Sequence, residues 1–360
     1  MSRPRYKIVV SDLHLGFGPF DSDGNQNILE DFFYDKPFAE LLEYYSTGDY
    51  TKAEIELILN GDIFNHLHVY PYETNPSLFT ERICYERTQK IIDGHPELFT
   101  ALRRFAENDR HRLIYLMGNH DIGVAWPSVQ QLLRDAIHPN IVIRLDYYRD
   151  GAVHVEHGNQ FLLDNRMELE DLFLTRGEPE PVLKLPWGGL FVLQFINRVR
   201  FQRHYVGKVF PFRTFIRWSL LHDTLFALGL LAKVVLYFLK INFIRDPRRN
   251  FHFRDTWKIM TSYQFPQRLH KFAKKIFETN PEVRVVVFGH THQALYQQLS
   301  RDRHYLNSGT WIELISLDLA SLGRSLRWTF VEISYDKDGT PRPRLKEWKG
   351  TYRPVEEVVV

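Results

Sequence analysis

The sequence predicts a layered α/β fold with its chemistry gathered along one sheet edge. Two observations carry that expectation. Short apolar, β-branched runs recur at residues 6–10, 55–60, 112–117, 152–156 and 283–288, with helical periodicity between several of them. Each run is followed at once by polar residues able to bind metals: Ser11-Asp12-Leu13-His14, Gly61-Asp62, Gly118-Asn119-His120-Asp121, His157-Gly158 and Gly289-His290-Thr291-His292. Strands that alternate with helices and carry polar residues just past their C-terminal ends imply an α/β architecture with a site at that edge.

In chain order, residues 6–10 read as a buried strand and leave Asp12 and His14 on the following loop. Residues 55–60 form a second strand leading into Gly61-Asp62. Residues 79–108 read as one long helical region, since Ile83, Ile91, Leu98, Leu102 and Phe105 recur at near-helical spacing. Residues 112–117, 152–156 and 283–288 are the third, fourth and fifth strands. Alternating runs at 303–306, 312–317, 326–334 and 344–348 predict antiparallel strands of a second sheet.

Composition bounds the rest. A chain of 360 residues makes one large α/β domain or two ordinary ones, and 44% hydrophobic content supplies a full core. A single cysteine, Cys84, excludes disulfide and thiolate-zinc frameworks, and its helical setting predicts a buried, inert thiol. No signal peptide precedes the first strand, so a cytoplasmic protein is expected. Net charge is +2 but unevenly spread: residues 182–254 hold thirteen Lys and Arg against Asp223 and Asp246, which leaves +11 there and −9 elsewhere. This basic stretch contains two apolar blocks, 187–196 and 218–239. The expected organisation is a catalytic domain made of residues 1–162 and 266–360, with a helical basic and apolar insert at 163–265.

The polar motifs define a chemistry. Two Asp, one Asn and four His make the ligand inventory of two divalent cations sharing a carboxylate. Such a pair clamps a phosphoryl group and acidifies water. Asp62 is the natural bridge. Asp12 and His14 can reach one cation, His290 and His292 can each serve a different one, and Asn119 and His157 add a neutral oxygen and a neutral imidazole. This mixed nitrogen and oxygen set suits Mn²⁺, with Fe²⁺ or Zn²⁺ as alternatives, better than Ca²⁺. His120 is left to protonate a leaving oxygen, with Asp121 as the expected orienter of its ring. Asn159, Asp164, Asn165 and Arg166 follow His157 and are candidates for substrate binding. Asn65, His66 and His68 follow Asp62 and are expected to face solvent. Any one motif is commonplace; the ordered set at five strand ends is specific.

That set, over residues 6 to about 335, resembles the calcineurin-like metallophosphoesterase superfamily. The resemblance implies a four-layer α/β/β/α sandwich. It also implies one metal held by Asp12, His14, Asp62 and His292, and a second by Asp62, Asn119, His157 and His290. A narrower resemblance lies in residues 11–16, 157–161 and 305–311, which are similar to the UDP-2,3-diacylglucosamine pyrophosphatase branch. There a helical insert receives the acyl chains of a nucleotide-linked lipid. The best-known members of that branch carry Arg where this chain has His120, and Asp is common where it has Asn159.

The insert adds a partner. The 218–239 block is long enough to span a bilayer, but His157 and His290 flank it and should serve one metal, which forbids a single crossing. Arg213, Arg217, Lys240, Arg245, Arg248 and Arg249 flank the block, and Trp187 and Trp218 suit an interfacial position. The expectation is peripheral binding to an anionic membrane, on its inner face, by an enzyme whose phosphorylated substrate is lipid-linked. The alternative is a soluble phosphodiesterase or phosphoprotein phosphatase with the insert packed as a cap. Long apolar runs argue against a nucleic-acid groove, and the intact ligand set argues against an inactive scaffold.

Overall fold

Strand β1 (Arg5–Val10) is central because its residues are apolar on both faces. Ile8 and Val10 point to one side and Val9 to the other, and all three are buried. The structure, a computed structural model, describes residues 3–20, 23–68, 76–210, 212–243, 269–317, 322–351 and 355–358. After β1 come α1 (Asp35–Ser46), β2 (Glu54–Asn60), α2 (Glu81–Gly94), α3 (Pro96–Ala106), β3 (His111–Leu116), α4 (Pro127–Ala136), β4 (Val142–Arg144), β5 (Tyr147–Asp150) and β6 (Val153–Glu156). The insert contributes α5 (Trp187–Phe191), α6 (Asn197–Arg200), α7 (Phe212–His222) and α8 (Thr224–Phe243). The chain continues through α9 (His270–Thr279), β7 (Val285–Phe288), β8 (Leu295–Ser300), β9 (Arg303–Asn307), β10 (Trp328–Tyr335), β11 (Pro341–Trp348) and β12 (Val355–Glu357).

Two sheets carry the fold. The larger has the order β12-β11-β10-β1-β2-β3-β4, parallel from β1 to β4, and the smaller β8-β9-β7-β6-β5. One face of the larger sheet packs Ile8, Val10, Leu57, Leu59 and Tyr115 against Phe38, Leu41, Ile91, Leu98 and Val129 from α1 to α4. Its other face packs Val9, Ile58 and Ile114 against Val153, Val155, Val285 and Val287 of the smaller sheet. The outer face of the smaller sheet buries Val286, Phe288 and Tyr305 against Ala273 and Phe277 of α9. The expected four layers, α/β/β/α, are present.

Three expectations are corrected. The helical region at 79–108 is two helices, because Pro96 cannot continue α2 and instead opens α3 at its first turn. The tail strands do not form one second sheet. β10 extends the larger sheet antiparallel to β1 and β11 follows antiparallel to β10, while β9 joins the smaller sheet parallel to β7. Leu314–Ser316 belongs to a third, three-stranded sheet with Gly323–Ser325 and Val209–Phe210. Alternation specifies which side chains face the core, but not which sheet edge a strand will join. The 218–239 block, lastly, breaks at Asp223 into the α7–α8 hairpin, and no described helix is long and apolar enough to cross a membrane.

The insert is apolar on both sides. Phe215, Leu230 and Tyr237 turn inward onto Phe195, Val199 and Trp187. Trp187 is therefore a core residue and not interfacial. Leu221, Leu225, Leu228 and Leu236 turn outward and are 77%, 87%, 53% and 64% exposed, beside Trp218 at 56%. Arg245, Arg248 and Arg249 lie outside the described residues, as do the side chains of Arg213 and Lys240. Cys84 is buried as expected, and burial pushes its thiol up to about 12.

The loop between β1 and α1 is tied down by Glu30. Its carboxylate accepts from the backbone N–H groups of Gly16, Gly18, Asp31 and Phe32 at 2.8–3.0 Å. Behind it His95 lies 3.4 Å from Glu30 and 3.0 Å from Asp35. Burial alone would lower the His95 pKa, but Asp35 and Glu30 raise it to about 9. A raised histidine stabilises the fold fully below its unfolded value near 6.5, and that contribution disappears as pH rises through about 9. At about 1.4 kcal/mol per pKa unit, it amounts to roughly 3 kcal/mol below the unfolded value. Urea titrations of the wild type and His95→Gln should show a stability gap of that order at pH 6 that closes by pH 10. A gap constant with pH would mean that His95 acts by packing alone.

Candidate metal centre

Five non-glycine residues among those described have left-handed backbones: Asp12 (φ 55°), His14 (52°), Asp62 (52°), His290 (68°) and His292 (59°). All five are expected ligands. Such conformations cost about 1–3 kcal/mol each and persist only where surrounding contacts impose them. Here the turns after β1 and β2 hold one another: Asp12 N–H donates to the Gly61 carbonyl at 3.1 Å and His14 N–H to the Asp62 carbonyl at 2.9 Å. Thr310 Oγ1 donates to the Asp12 carbonyl and Asn307 Nδ2 to the Gly289 carbonyl, both at 2.6 Å. The 305–311 run is thus a brace for two ligand turns. Gly61 (φ 76°) must be glycine twice over, since a Cβ there would lie 2.5 Å from the His157 ring. A Cβ on Gly118 would strike Asp62.

These turns bring the ligand atoms together. Asp12, His14 and His292 form one cluster, Asp62, His157 and His290 a second, and His14, Asp62 and His120 a third, with atoms within 4.8 Å in each. Asp62 Oδ2 lies 3.2 Å from His157 Nε2 and 3.9 Å from His14 Nε2, while its Oδ1 accepts from the His120 N–H at 2.7 Å. His292 Nε2 lies 3.3 Å from Asp12 Oδ1. Second contacts aim the rings: His157 Nδ1 donates to the Asn60 carbonyl at 2.8 Å, which leaves Nε2 as the free lone pair. Asp12 Oδ1, Asn119 Oδ1, His157 Nε2 and His290 Nδ1 are buried and make no hydrogen bond. Orphaned donors and acceptors cost free energy unless something else binds them. This donor set fits two divalent cations, with Asp62 between them.

The electrostatics agree. Burial would raise both carboxylates, yet His157 above all holds Asp62 well below the usual range, and His292 and His157 lower Asp12. Burial drives His14 and His290 down to about 3, so both rings are neutral at pH 7, the form that can bind a metal. For His290 the repulsion of the neighbouring His157 adds to burial. His157 runs the other way: burial would lower it, but Asp62 and Asp12 raise it to about 10. A pocket that draws a proton onto a buried imidazole so strongly attracts any cation, and a metal ion would take that proton's place.

Other expectations fare differently. Asp121, expected to orient His120, does not reach its ring. Its carboxylate accepts from Tyr115 Oη at 2.7 Å, from the Ile63 N–H at 3.0 Å and from the Gly118 N–H, and burial followed by the Asp62 charge pushes it up to about 7. Asp121 therefore braces the turn, because side chains adjacent in a tight turn diverge. The orienter is Asn65, whose Oδ1 accepts from His120 Nδ1 at 3.0 Å. Asn65, His66 and His68 are buried, not solvent-facing. His66 accepts from the Gly123 N–H at 3.2 Å, and His68 Nδ1 lies 2.8 Å from Asn65 Nδ2 and 3.1 Å from the Leu29 carbonyl. Asn159 is buried and its Nδ2 donates to the Asn165 carbonyl at 3.0 Å. Asn165 Oδ1 lies 3.5 Å from Asn119 Nδ2, and the Asp164 carbonyl accepts from the Gly188 N–H at 2.7 Å. Burial raises the Asp164 carboxyl. Arg166 is exposed and faces Glu168 at 3.9 Å.

Asp62→Ala should release both cations, because the carboxylate that lies beside both His14 and His157 is lost. Metal analysis after gel filtration is the measurement. Two ions retained would contradict the bridge; one retained would make Asp62 a ligand to a single metal.

Comparison with known proteins identifies a family. The family model for calcineurin-like phosphoesterases matches residues 8–294. No curated protein matches the sequence. Similar solved structures include a dimetal phosphatase from Danio rerio, at 10% identity and TM-score 0.38 with 99% of each chain covered. Another is a putative 5'-nucleotidase from Staphylococcus aureus, at 10% identity and TM-score 0.37, covering 99% of this chain and 54% of that one. This chain thus spans about half the length of that nucleotidase. A third is Vacuolar Protein Sorting 29 from Cryptosporidium parvum, at 12% identity and TM-score 0.30, covering 96% and 98%. The family match spans most of the chain and all five ligand turns: this protein belongs to the calcineurin-like phosphoesterases, metal-dependent phosphoester hydrolases.

Proposed function

We propose that the protein hydrolyses a phosphorus–oxygen bond in an amphiphilic substrate presented at an anionic membrane surface. A nucleotide-diphospho-lipid such as UDP-2,3-diacylglucosamine is the favoured member of that class. The observation that carries this reading is the outward face of the α7–α8 hairpin. There Trp218, Leu221, Leu225 and Leu236 stand exposed on an insert that also packs beside the metal centre. A helix that is apolar all round is normally enclosed by protein or lipid. Within Phe212–His222 and Thr224–Phe243 there is no acidic residue, and Asp223 between them pairs with Arg203 at 2.9 Å. Anionic head groups suit such a face. The insert at 163–265 is in this reading a lid that also seats the protein on the inner membrane face.

Asp12, His14, Asp62 and His292 would hold one cation, and Asp62, Asn119, His157 and His290 the other, with Mn²⁺ favoured. Bound, the two would supply Lewis acidity toward a phosphoryl oxygen and toward water. His120 is assigned the leaving oxygen. Its Nδ1 proton is committed to Asn65, so Nε2 is the atom that exchanges a proton with substrate. Asn165 and Asn159 position Asn119 and line the approach, with Asp164 and Arg166 as weaker substrate contacts.

Two measurements test the reading. His120→Ala should keep its metal content and lose about two to four orders of magnitude in turnover, less for esters with good leaving groups. Equal losses on aryl and alkyl esters would remove the acid role. Separately, the wild type should float with anionic vesicles at low salt and detach as salt rises, since the attraction is screened within about 8–10 Å. Leu221→Glu combined with Leu225→Glu should abolish flotation and leave hydrolysis of a small soluble diester intact. A wild type that ignores anionic vesicles would make the insert a packed cap on a soluble phosphodiesterase.

A further inference from the structure

Besides Asn165, which lies 3.5 Å from Asn119, the insert meets the surroundings of the metal centre through Arg200. Arg200, at the end of α6, is only 1% exposed. Its guanidinium grips Asp31 with both terminal nitrogens, at 2.8 and 3.1 Å. Nη1 also lies 2.9 and 3.0 Å from the two ring nitrogens of His68. His68 Nδ1 in turn lies 2.8 Å from Asn65 Nδ2, as well as 3.1 Å from the Leu29 carbonyl, and the other end of that amide accepts from His120 at 3.0 Å. An unbroken set of polar contacts therefore runs from the insert to the residue assigned to the leaving group. On the same helix face, three residues earlier, Asn197 donates to the Leu67 carbonyl at 2.8 Å, so α6 holds the 65–68 loop at two points.

The helix is built for this grip. A π-turn, Val192–Ile196, separates α5 from α6. One added residue rotates the helix beyond it by roughly 100°, and such turns concentrate at functional sites. α5 thus buries Trp187 and Leu190, while α6 presents Asn197 and Arg200 to the loop.

We propose that Arg200 is a positioning residue for hydrolysis: through His68 and Asn65 it fixes the His120 ring, so that the site is fully aligned only when the insert is seated. The planar fork matters, because it spans a carboxylate and an imidazole at once, which a lysine cannot do. The inference rests on the role proposed for His120 and is independent of membrane binding.

The test is a double-mutant cycle on the full, metal-loaded chain with an alkyl phosphodiester, together with metal analysis. Arg200→Met should lower kcat about 10- to 100-fold with KM and metal content little changed. In the His120→Ala background it should cost nothing further. Arg200→Lys should not restore kcat, although it keeps a charge for Asp31. His68→Phe, which leaves the Arg200–Asp31 pair intact, should repeat the pattern and carries the test if Arg200→Met fails to fold. Losses that multiply with His120→Ala, rescue by lysine, or loss of metal would each overturn the proposal and make Arg200 a structural anchor. If His120→Ala alone leaves turnover unchanged, the role proposed for His120 falls and this inference with it. If His120→Ala is impaired and the losses multiply, only this inference falls.

Discussion

Two buried carboxylates that pair, among the described residues, with no Lys or Arg set the terms for this fold. Asp12 and Asp62 sit at the ends of the two central strands, 0% and 1% exposed, and among the described residues their ion-pair contacts are all with histidines. Taking a carboxylate out of water costs several kcal/mol unless charge and hydrogen bonds return the loss. Backbone N–H groups return part of it, from His290 to Asp12 and from His120 to Asp62. The remainder appears as a drive to collect positive charge, visible in the upward shift of His157. The left-handed turns, the glycines that let His157 and Asp62 approach, and the braces from Ser11, Ser308 and Thr310 all serve to keep two negative groups close in a dry place.

That constraint also explains what the sequence made legible. Ligands of this kind must follow strands, because only a strand end aims several side chains into one cleft while its body anchors the turn. That Asp12, His14, Asp62, His157, His290 and His292 come together could be read by looking just past each apolar run. The layers followed from the same runs, since strands apolar on both faces need cover on both sides. The assignment of tail strands to sheets was not legible. β10 lies beside β1 although more than three hundred residues separate them, and no local pattern encodes that pairing.

The supporting polar contacts were hidden for a different reason. Asp121 looked like the partner of His120 because it is adjacent in the chain, but partners are chosen in space, and Asn65 is 55 residues away. Asn65 and His68 looked like loop residues because polar side chains after a turn usually are. They are buried among residues distant in sequence: Asn65 meets His120 and His68, and His68 meets Leu29, Asp31 and, from the insert, Arg200. In a tally of charge, Arg200 was one of thirteen basic residues; in the structure it meets the His68 imidazole and the Asp31 carboxylate, which it shares with Lys208.

The insert joins two physical roles that need opposite surfaces. Near the site it must be polar at a few points and otherwise well packed, as α5 and α6 are. Farther out, the inward side of α8 buries Ala227, Leu230 and Tyr237. Leu225, Leu228 and Leu236 on its other side add nothing to that packing, and an ordinary surface helix would carry charged or polar residues there. An exposed apolar stripe on a basic background is a poor cap but a good support for an anionic, amphiphilic surface. With the grip of α6 at one end and that stripe at the other, whatever seats the hairpin bears through Phe215 and Leu230 on Phe195 and Val199, next to the residues that hold the loop around His120.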